Sequence, residues 1–297
     1  MRNEEFGMRN EEALTFATKQ FIHYGFESAR LEAEILLANV LNVDRIYLYV
    51  HSDYILTDSQ IKMYKNFIQR RLSHEPTAYI IGHREFMGLE FTVNKDVLIP
   101  RPDTEILVET VIERLKDMKD TIEIVDVGTG SGAIAISLAK YLPNAHINAI
   151  DISEAAINIA KINSQINKVS DRITFHVDDW ENFFLLPAQS PSLQKNFLYN
   201  AIVSNPPYIL SNVIDTLEPE VAKYEPRLAL DGGDDGLDFY RRLIDESPKF
   251  LSDGGFLAVE IGYNQAQSVK ELATKRFKYV EVIKDLSQND RVVVAKL

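Results

Sequence analysis

Residues 124–135 read Ile-Val-Asp-Val-Gly-Thr-Gly-Ser-Gly-Ala-Ile-Ala: a buried strand that turns through three alternate glycines into a helix. Glycine lets the backbone take positive φ and pass close to a ligand without a Cβ clash. Loops of this kind also serve phosphates and dinucleotides, so spacing must narrow the choice. The pattern is GxGxG, with Ala133 directly after Gly132 where a dinucleotide loop would continue, and no Lys-Ser or Lys-Thr follows as in a Walker A loop. A purely structural turn at Gly128, Gly130 and Gly132 is disfavoured by an acid in register. Asp151 stands 19 residues past Gly132, at the end of the next strand-like segment. An acid there accepts hydrogen bonds from ribose hydroxyls, and it can also cap the next helix together with Ser153.

Strand-like segments at 123–127, 147–150, 173–177, 201–204, 255–261, 279–284 and 291–296 follow one another down the chain. Helical patterns separate the first five, which predicts an α/β, mostly parallel, doubly wound sheet. No helix separates the last two, so they are expected to pair as an antiparallel hairpin. The result is a seven-stranded sheet with an antiparallel last strand, the layout of the class I methyltransferase fold.

Before this region the texture differs. Residues 11–75 read as helical, with Ala29, Ala33, Leu36, Leu37, Val40 and Leu41 on one stripe and Thr57-Asp58-Ser59 as candidate caps for a helix through Arg71. Met1-Arg2-Asn3-Glu4-Glu5 recurs as Met8-Arg9-Asn10-Glu11-Glu12, one short repeat and not an array. Residues 76–100 carry Phe86-Met87-Gly88-Leu89-Glu90-Phe91-Thr92-Val93, a β-like run about a glycine that predicts a hairpin linker. Pro100-Arg101-Pro102-Asp103-Thr104-Glu105 follows, and Asp103 or Thr104 is expected to cap a helix over 106–115. The expected organisation is a helical substrate-recognition domain (1–75), a hairpin linker (76–100) and a catalytic domain (101–297).

Two segments carry the chemistry. At the third strand's end stands Asp178-Asp179-Trp180. Asp179 can accept from an adenine amino group and Trp180 can pack on its face, although core packing competes for Trp180 and Asp178 reads as a solvated loop charge. The fourth strand runs straight into Asn205-Pro206-Pro207-Tyr208. Two prolines fix φ and remove two N–H donors, leaving a stiff turn that shows carbonyl acceptors. An amide or aryl amine nitrogen is a poor nucleophile because its lone pair is delocalised. The Asn205 side-chain oxygen and the Pro206 carbonyl can accept its two N–H bonds and aim the lone pair. They also stabilise the positive charge that develops on nitrogen. Tyr208 can stack on the planar group. A bare Pro-Pro turn is the bland alternative; after strand four of a GxGxG sheet the tetrapeptide points to nitrogen methylation.

Taken together the chain resembles the HemK/PrmC family, N5-glutamine methyltransferases of peptide chain release factors. The likeness covers nearly the whole chain. It includes the helical run 29–37, Phe86-Met87-Gly88-Leu89, Leu98-Ile99-Pro100-Arg101-Pro102-Asp103-Thr104-Glu105, the glycine loop, Asp179-Trp180, Ser204 to Tyr208, Tyr224-Glu225-Pro226-Arg227 through Gly233, and Val259-Glu260-Ile261-Gly262. The resemblance implies that the cofactor is S-adenosyl-L-methionine, leaving as S-adenosyl-L-homocysteine. Gly128, Thr129, Gly130, Ser131, Gly132, Asp151, Asp179, Trp180 and Asn205 would hold it. Asn205, Pro206, Pro207 and Tyr208 would hold the glutamine of a Gly-Gly-Gln motif in class 1 release factors, with the helical domain gripping the factor. Glu260 either lines the substrate pocket or is a strand-end charge, and Arg101 and Arg227 either meet ligand carboxylates or form structural ion pairs.

Charge bears on the rivals. The net charge is −12, and residues 1–75 hold 9 basic and 11 acidic side chains. That argues against a stable nucleic-acid partner, and hence against an exocyclic-amine methyltransferase acting on adenine or guanine. A glutamine methyltransferase of a ribosomal protein would share every motif named. The chain has no cysteine, which excludes disulfides and thiolate metal sites. Its six histidines show no metal-ligand spacing, so no metal is expected. No apolar run reaches the roughly 18 residues of a membrane span, and the acidic start does not read as a secretory signal. The expectation is a cytoplasmic monomer.

Overall fold

The computed structural model describes residues 7–185 and 198–297. Residues 1–5, the first copy of the repeat, lie outside them. The chain forms two compact units. One extends to Gly82 and takes in Pro219–Tyr224; the other comprises His83–Glu218 and Glu225–Leu297.

The first unit is helical: α1 Asn10–His23, α2 Ala29–Leu41, α3 Arg45–Val50, α4 Asp58–Leu72 and α5 Thr77–Ile81. The expected stripe lies on α2, with Ala29, Ala33, Leu36 and Leu37 buried. Thr57 caps α4 in a reciprocal box with Gln60. Glu34 is buried at the side chain but paired with Arg30 and Arg45 and hydrogen-bonded by Tyr49, as a buried charge must be. The boundary falls after Gly82, beyond the expected residue 75, because α5 packs with the helices.

The second unit opens with a hairpin, β1 His83–Phe86 and β2 Leu89–Thr92. Its two-residue turn has positive φ at both Met87 and Gly88, the conformation that matches the twist of paired strands. The hairpin docks onto this unit through Phe86 and Phe91, which are fully buried in its core. Then α6 Pro102–Leu115 begins earlier than the sequence suggested. Pro102 occupies the first helical position, where a missing N–H costs nothing, and neither Asp103 nor Thr104 acts as cap. Asp103 instead pairs with Arg291, and Thr104 is buried.

The sheet contains β3 Ile122–Val127, β4 Ala145–Asp151, β5 Ile173–Val177, β6 Tyr199–Ser204, β7 Leu251–Glu260, β8 Tyr279–Lys284 and β9 Asp290–Lys296. Its order is β5-β4-β3-β6-β7-β9-β8. The pairs from β5 to β7 are parallel, and β9 is antiparallel to both β7 and β8. The expected fold class is borne out, with the last strand inserted between β7 and β8. One core holds buried residues of α6 and α7 Ala133–Tyr141, with α8 Glu154–Ile166 packed against α7, β2, β4 and β5; buried residues of α11 Asp238–Glu246 and α12 Ala266–Ala273 belong to a second core with Val127, Ile202 and Val259. A shorter helix, α9 Trp180–Leu185, follows β5; α10 Pro219–Tyr224 belongs to the helical unit, within which its Glu220 pairs with Arg71.

Asn163 of α8 fastens the hairpin to the glycine loop. Its Oδ1 accepts from the Thr92 N–H at 2.7 Å, while its Nδ2 donates to the carbonyls of Thr92 and Ser131 at 3.0 and 2.9 Å. Asn163 is fully buried, so losing its amide takes a partner from three backbone groups at once. We expect Asn163→Ala to lower unfolding stability by about 2–4 kcal/mol, read from urea denaturation.

Candidate active site

Strand order reverses between β3 and β6, and ligands of open α/β sheets sit beyond the carboxyl ends at such a reversal. Register does the rest. Val127 pairs with Ile150 on one side and Ser204 on the other. The residues that follow these, Gly128, Asp151 and Asn205, therefore emerge side by side at one edge. The Ser204 hydroxyl donates to the Val127 carbonyl at 2.7 Å and locks the pairing. A cavity of about 450 Å³ opens there, lined by Gly128, Gly130, Asp151, Asp179, Trp180, Asn205 and Pro207 among others.

The glycine loop is held from beneath. Asp126, fully buried at the end of β3, accepts from the Thr129 hydroxyl at 2.6 Å and from the Ala135 N–H at 3.1 Å. Gly132 has a φ of 83°, and a Cβ there would come within 3.1 Å of the Ala160 Cβ, so only glycine allows α7 and α8 to close around the turn. Thr129 and Ser131 are buried. With Gly132 they lie outside the cavity lining and shape the loop from behind. Asp151 accepts from the Gly130 N–H through Oδ2 at 2.8 Å and from the Ser153 N–H through Oδ1 at 2.9 Å. Ser153 in turn caps α8. Two further lone-pair directions remain on the Asp151 carboxylate.

Trp180 sits where core and cavity meet. It is 5% exposed, packs in the core beside Phe239 at 5.9 Å, and still lines the cavity. The Arg242 guanidinium lies 5.6 Å from the Trp180 ring and 3.8 Å from Asp179. Asp178 is half-buried and also lines the cavity.

Asn205 donates through Nδ2 to the Thr104 hydroxyl oxygen at 3.1 Å. Pro207 lines the cavity, whereas Pro206 is buried and Tyr208, half-buried, stands outside the lining. The Tyr208 hydroxyl donates to Glu260 at 3.4 Å, and its carbonyl accepts from Gln265 at 3.0 Å. Glu260 is buried at the end of β7 and outside the cavity lining, so the pocket-wall alternative is not where the structure puts it. Gly232 backs the turn; a Cβ there would meet the Tyr208 Cα at 2.7 Å.

Several residues that sequence reasoning passed over complete the wall: Val97, Leu98, Leu228, Phe239 and Arg242. The signal for two of them lay in the segments 98–105 and 224–233, which supported the resemblance without a chemical role. Arg101 is accounted for by an ion pair with the buried Glu225, and Arg227 by pairs with Asp215 and Asp231. Among the described residues no cluster of three or more His, Cys, Asp or Glu side chains suits a metal ion, and no helix is long and apolar enough to cross a membrane.

Burial, with help from Asp151, pushes Asp126 up to about 7 against the hydrogen bonds from Thr129 and Ala135. A carboxyl held above its unfolded value of about 3.9 binds a proton in the fold that the unfolded chain has released. Stability is therefore unpenalised below pH 4 and falls as pH climbs through 7. Asp126→Asn is expected to remove on the order of 2–4 kcal/mol of that fall between pH 4 and pH 8, measured as the difference in unfolding free energy against wild type.

Comparison with known proteins matches residues 12–82 to the PrmC N-terminal domain and residues 118–291 to a methyltransferase domain. A release factor glutamine methyltransferase of Clostridium acetobutylicum is 43% identical over 89% of this chain and 90% of its own. One from Moorella thermoacetica is 41% identical over 97% of this chain and 98% of its own. Among solved structures, the hMettl16 catalytic domain in complex with a MAT2A 3'UTR hairpin has a TM-score of 0.54 at 17% identity, covering 81% of this chain and 82% of that one, a likeness of fold alone. With identity above 40% across nine-tenths of both chains and both domain families in place, the chain belongs to the release factor glutamine methyltransferase family.

Proposed function

We propose that the protein methylates the side-chain amide nitrogen of the glutamine in the Gly-Gly-Gln motif of class 1 peptide chain release factors, using S-adenosyl-L-methionine. The observation that carries this reading is the β3–β6 register, which seats Asn205 directly beside the glycine loop. The Nδ2 of Asn205 is already engaged by Thr104, so Oδ1 is the end left for an incoming N–H donor.

The residues suit the cofactor. Asp151 has lone pairs for two ribose hydroxyls, Gly128 and Gly130 admit close backbone approach, and Asp179 with Trp180 offers an acceptor and an apolar ring for adenine. S-adenosyl-L-methionine supplies an electrophilic sulfonium methyl and leaves as S-adenosyl-L-homocysteine. The protein's own task is positional. Asn205 Oδ1 and the Pro206 carbonyl accept the two N–H bonds of the acceptor amide, which turns its lone pair toward the methyl carbon. The same two oxygens stabilise the charge that grows on nitrogen. No strong base is needed, because the methylated cationic nitrogen gives its proton readily to a carbonyl or water. Pro207 and Tyr208 keep the turn stiff and confine the planar group.

The helical unit is the release-factor recognition domain in this reading, and the acidic chain works in the cytoplasm as a monomer without a stable nucleic-acid partner. Incubation with labelled S-adenosyl-L-methionine and, separately, a class 1 release factor, ribosomal proteins or nucleic acid tests it. Label is expected on the release factor and is expected to vanish when the Gly-Gly-Gln glutamine is replaced; label on ribosomal protein or nucleic acid alone overturns it. Asn205→Ala is expected to cut kcat by about 100-fold or more, while the cofactor Kd, from calorimetry, shifts by far less.

A further inference from the structure

The segment 230–236 runs beside the chain that leaves the Asn205 turn. Ile209 donates its N–H to the Leu230 carbonyl at 2.9 Å, the Gly232 N–H returns to the Ile209 carbonyl at 2.8 Å, and the Ser211 N–H goes to the Gly233 carbonyl at 3.0 Å. Gly232 and Gly233 also line the cavity. Gln265 joins these pieces. Its Nε2 donates to the Tyr208 carbonyl at 3.0 Å and to the Gly236 carbonyl at 3.2 Å, while its Oε1 accepts from the Gly262 N–H at 3.0 Å. One buried side chain, 7% exposed, thus links the turn, the segment beside it and the loop after β7. The amide can sit only one way round: reversed, its oxygen would face two carbonyls and its NH₂ would face an N–H. Gln265 stands at the N-cap of α12 and makes no side-chain bond to that helix. Short polar side chains that reach back to the helix are the usual residues there, so its amide serves something else.

The turn needs a donor from outside. Pro206 and Pro207 have no N–H, so this stretch offers its surroundings mainly carbonyl acceptors. Upstream, the Ser204 hydroxyl fixes the strand end on the Val127 carbonyl. Downstream, the Gln265 NH₂ takes the Tyr208 carbonyl. The pieces are pressed close: a Cβ on Gly236 would fall 2.5 Å from the Tyr208 carbonyl oxygen and 2.7 Å from Gln265 Nε2. Gln265 lies outside the cavity lining, so it reaches the reaction only through the turn. We propose that Gln265 is a positioning residue for methyl transfer, which fixes the Asn205 turn by its Tyr208 carbonyl and ties it to the cavity wall at 230–236. The proposal rests on the acceptor role given to that turn above. A placement error of about an ångström at the reacting atoms is enough to slow transfer by about 100-fold, and a turn anchored at only one end is free to make such errors.

Two measurements on the full-length protein test this, both with Gln265→Met, which keeps the length of the side chain and removes its hydrogen bonds. The first needs no acceptor. Amide hydrogen exchange at Ile209, Ser211 and Gly232 is expected to quicken by about 10-fold, while the Gly130 and Ala135 amides of the glycine loop exchange as in wild type. Unchanged exchange at all five positions overturns the proposal, and so does an equal rise at all five, which would mark Gln265 as a support of the whole fold. The second is kinetic. With a class 1 release factor as acceptor, kcat is expected to fall by about 10- to 100-fold, while the cofactor Kd from calorimetry stays within about twofold and the KM for the factor moves by less than kcat. Wild-type kcat, or a loss of cofactor affinity that matches the loss of kcat, overturns the proposal. Failure of the wild type to label a release factor would count against the function proposed above, and the exchange result would still decide whether Gln265 holds the turn.

Discussion

The parallel pairing of β3 with β6 is the constraint from which the site follows. Each strand ends where its loop begins, so a ladder that sets Val127 against Ser204 also sets Gly128 against Asn205. A slip of one residue would turn every β6 side chain to the other face of the sheet and carry the tetrapeptide off the glycine loop. The Ser204 hydroxyl on the Val127 carbonyl is a buried bond at the last rung, where a slip would first be felt.

Around that rung the protein concentrates buried polar groups that it could not tolerate elsewhere. Asp126, Thr104, Ser204 and Glu260 all lie at carboxyl ends of strands or on the first turn of α6, and each is hydrogen-bonded to a loop that faces the cavity or to a side chain that does. Burial of such groups costs several kilocalories unless they are paired. Here the pairing is spent on shape: Asp126 holds the glycine loop, Thr104 meets Asn205 and Glu260 meets Tyr208 of the turn after β6. Reaction geometry tolerates errors of only about an ångström, which explains why polar networks, rather than softer apolar packing, support these two loops.

Much of this was legible in the chain. The GxGxG loop, Asp151 in register and the tetrapeptide after the fourth strand identified the fold and the chemistry, because each depends on local backbone and spacing. What was not legible depended on contacts between distant segments. Thr104 read as a helix cap because Ser, Thr, Asp and Asn before an apolar run usually are; Pro102 took over the helix start and Thr104 was left to reach Asn205, 101 residues away. Glu260 read as a strand-end charge with two equal fates, since burial at a strand end cannot be seen in one strand. The hairpin read as a linker because its strands alternate without showing what covers them, and its phenylalanines are buried in the hydrophobic core of the second unit.

The sequence by itself determined the order of strands and helices, the glycine positions with positive φ, and the stiff Asn-Pro-Pro-Tyr turn, because these are properties of short stretches whose periodicity and backbone preferences act locally. Only the tertiary structure decided which buried polar groups meet beneath the turn, which face of Asn205 is spoken for, and where the two units divide. Those outcomes depend on desolvation and on partners brought together across the sheet, and neither is encoded in any one segment.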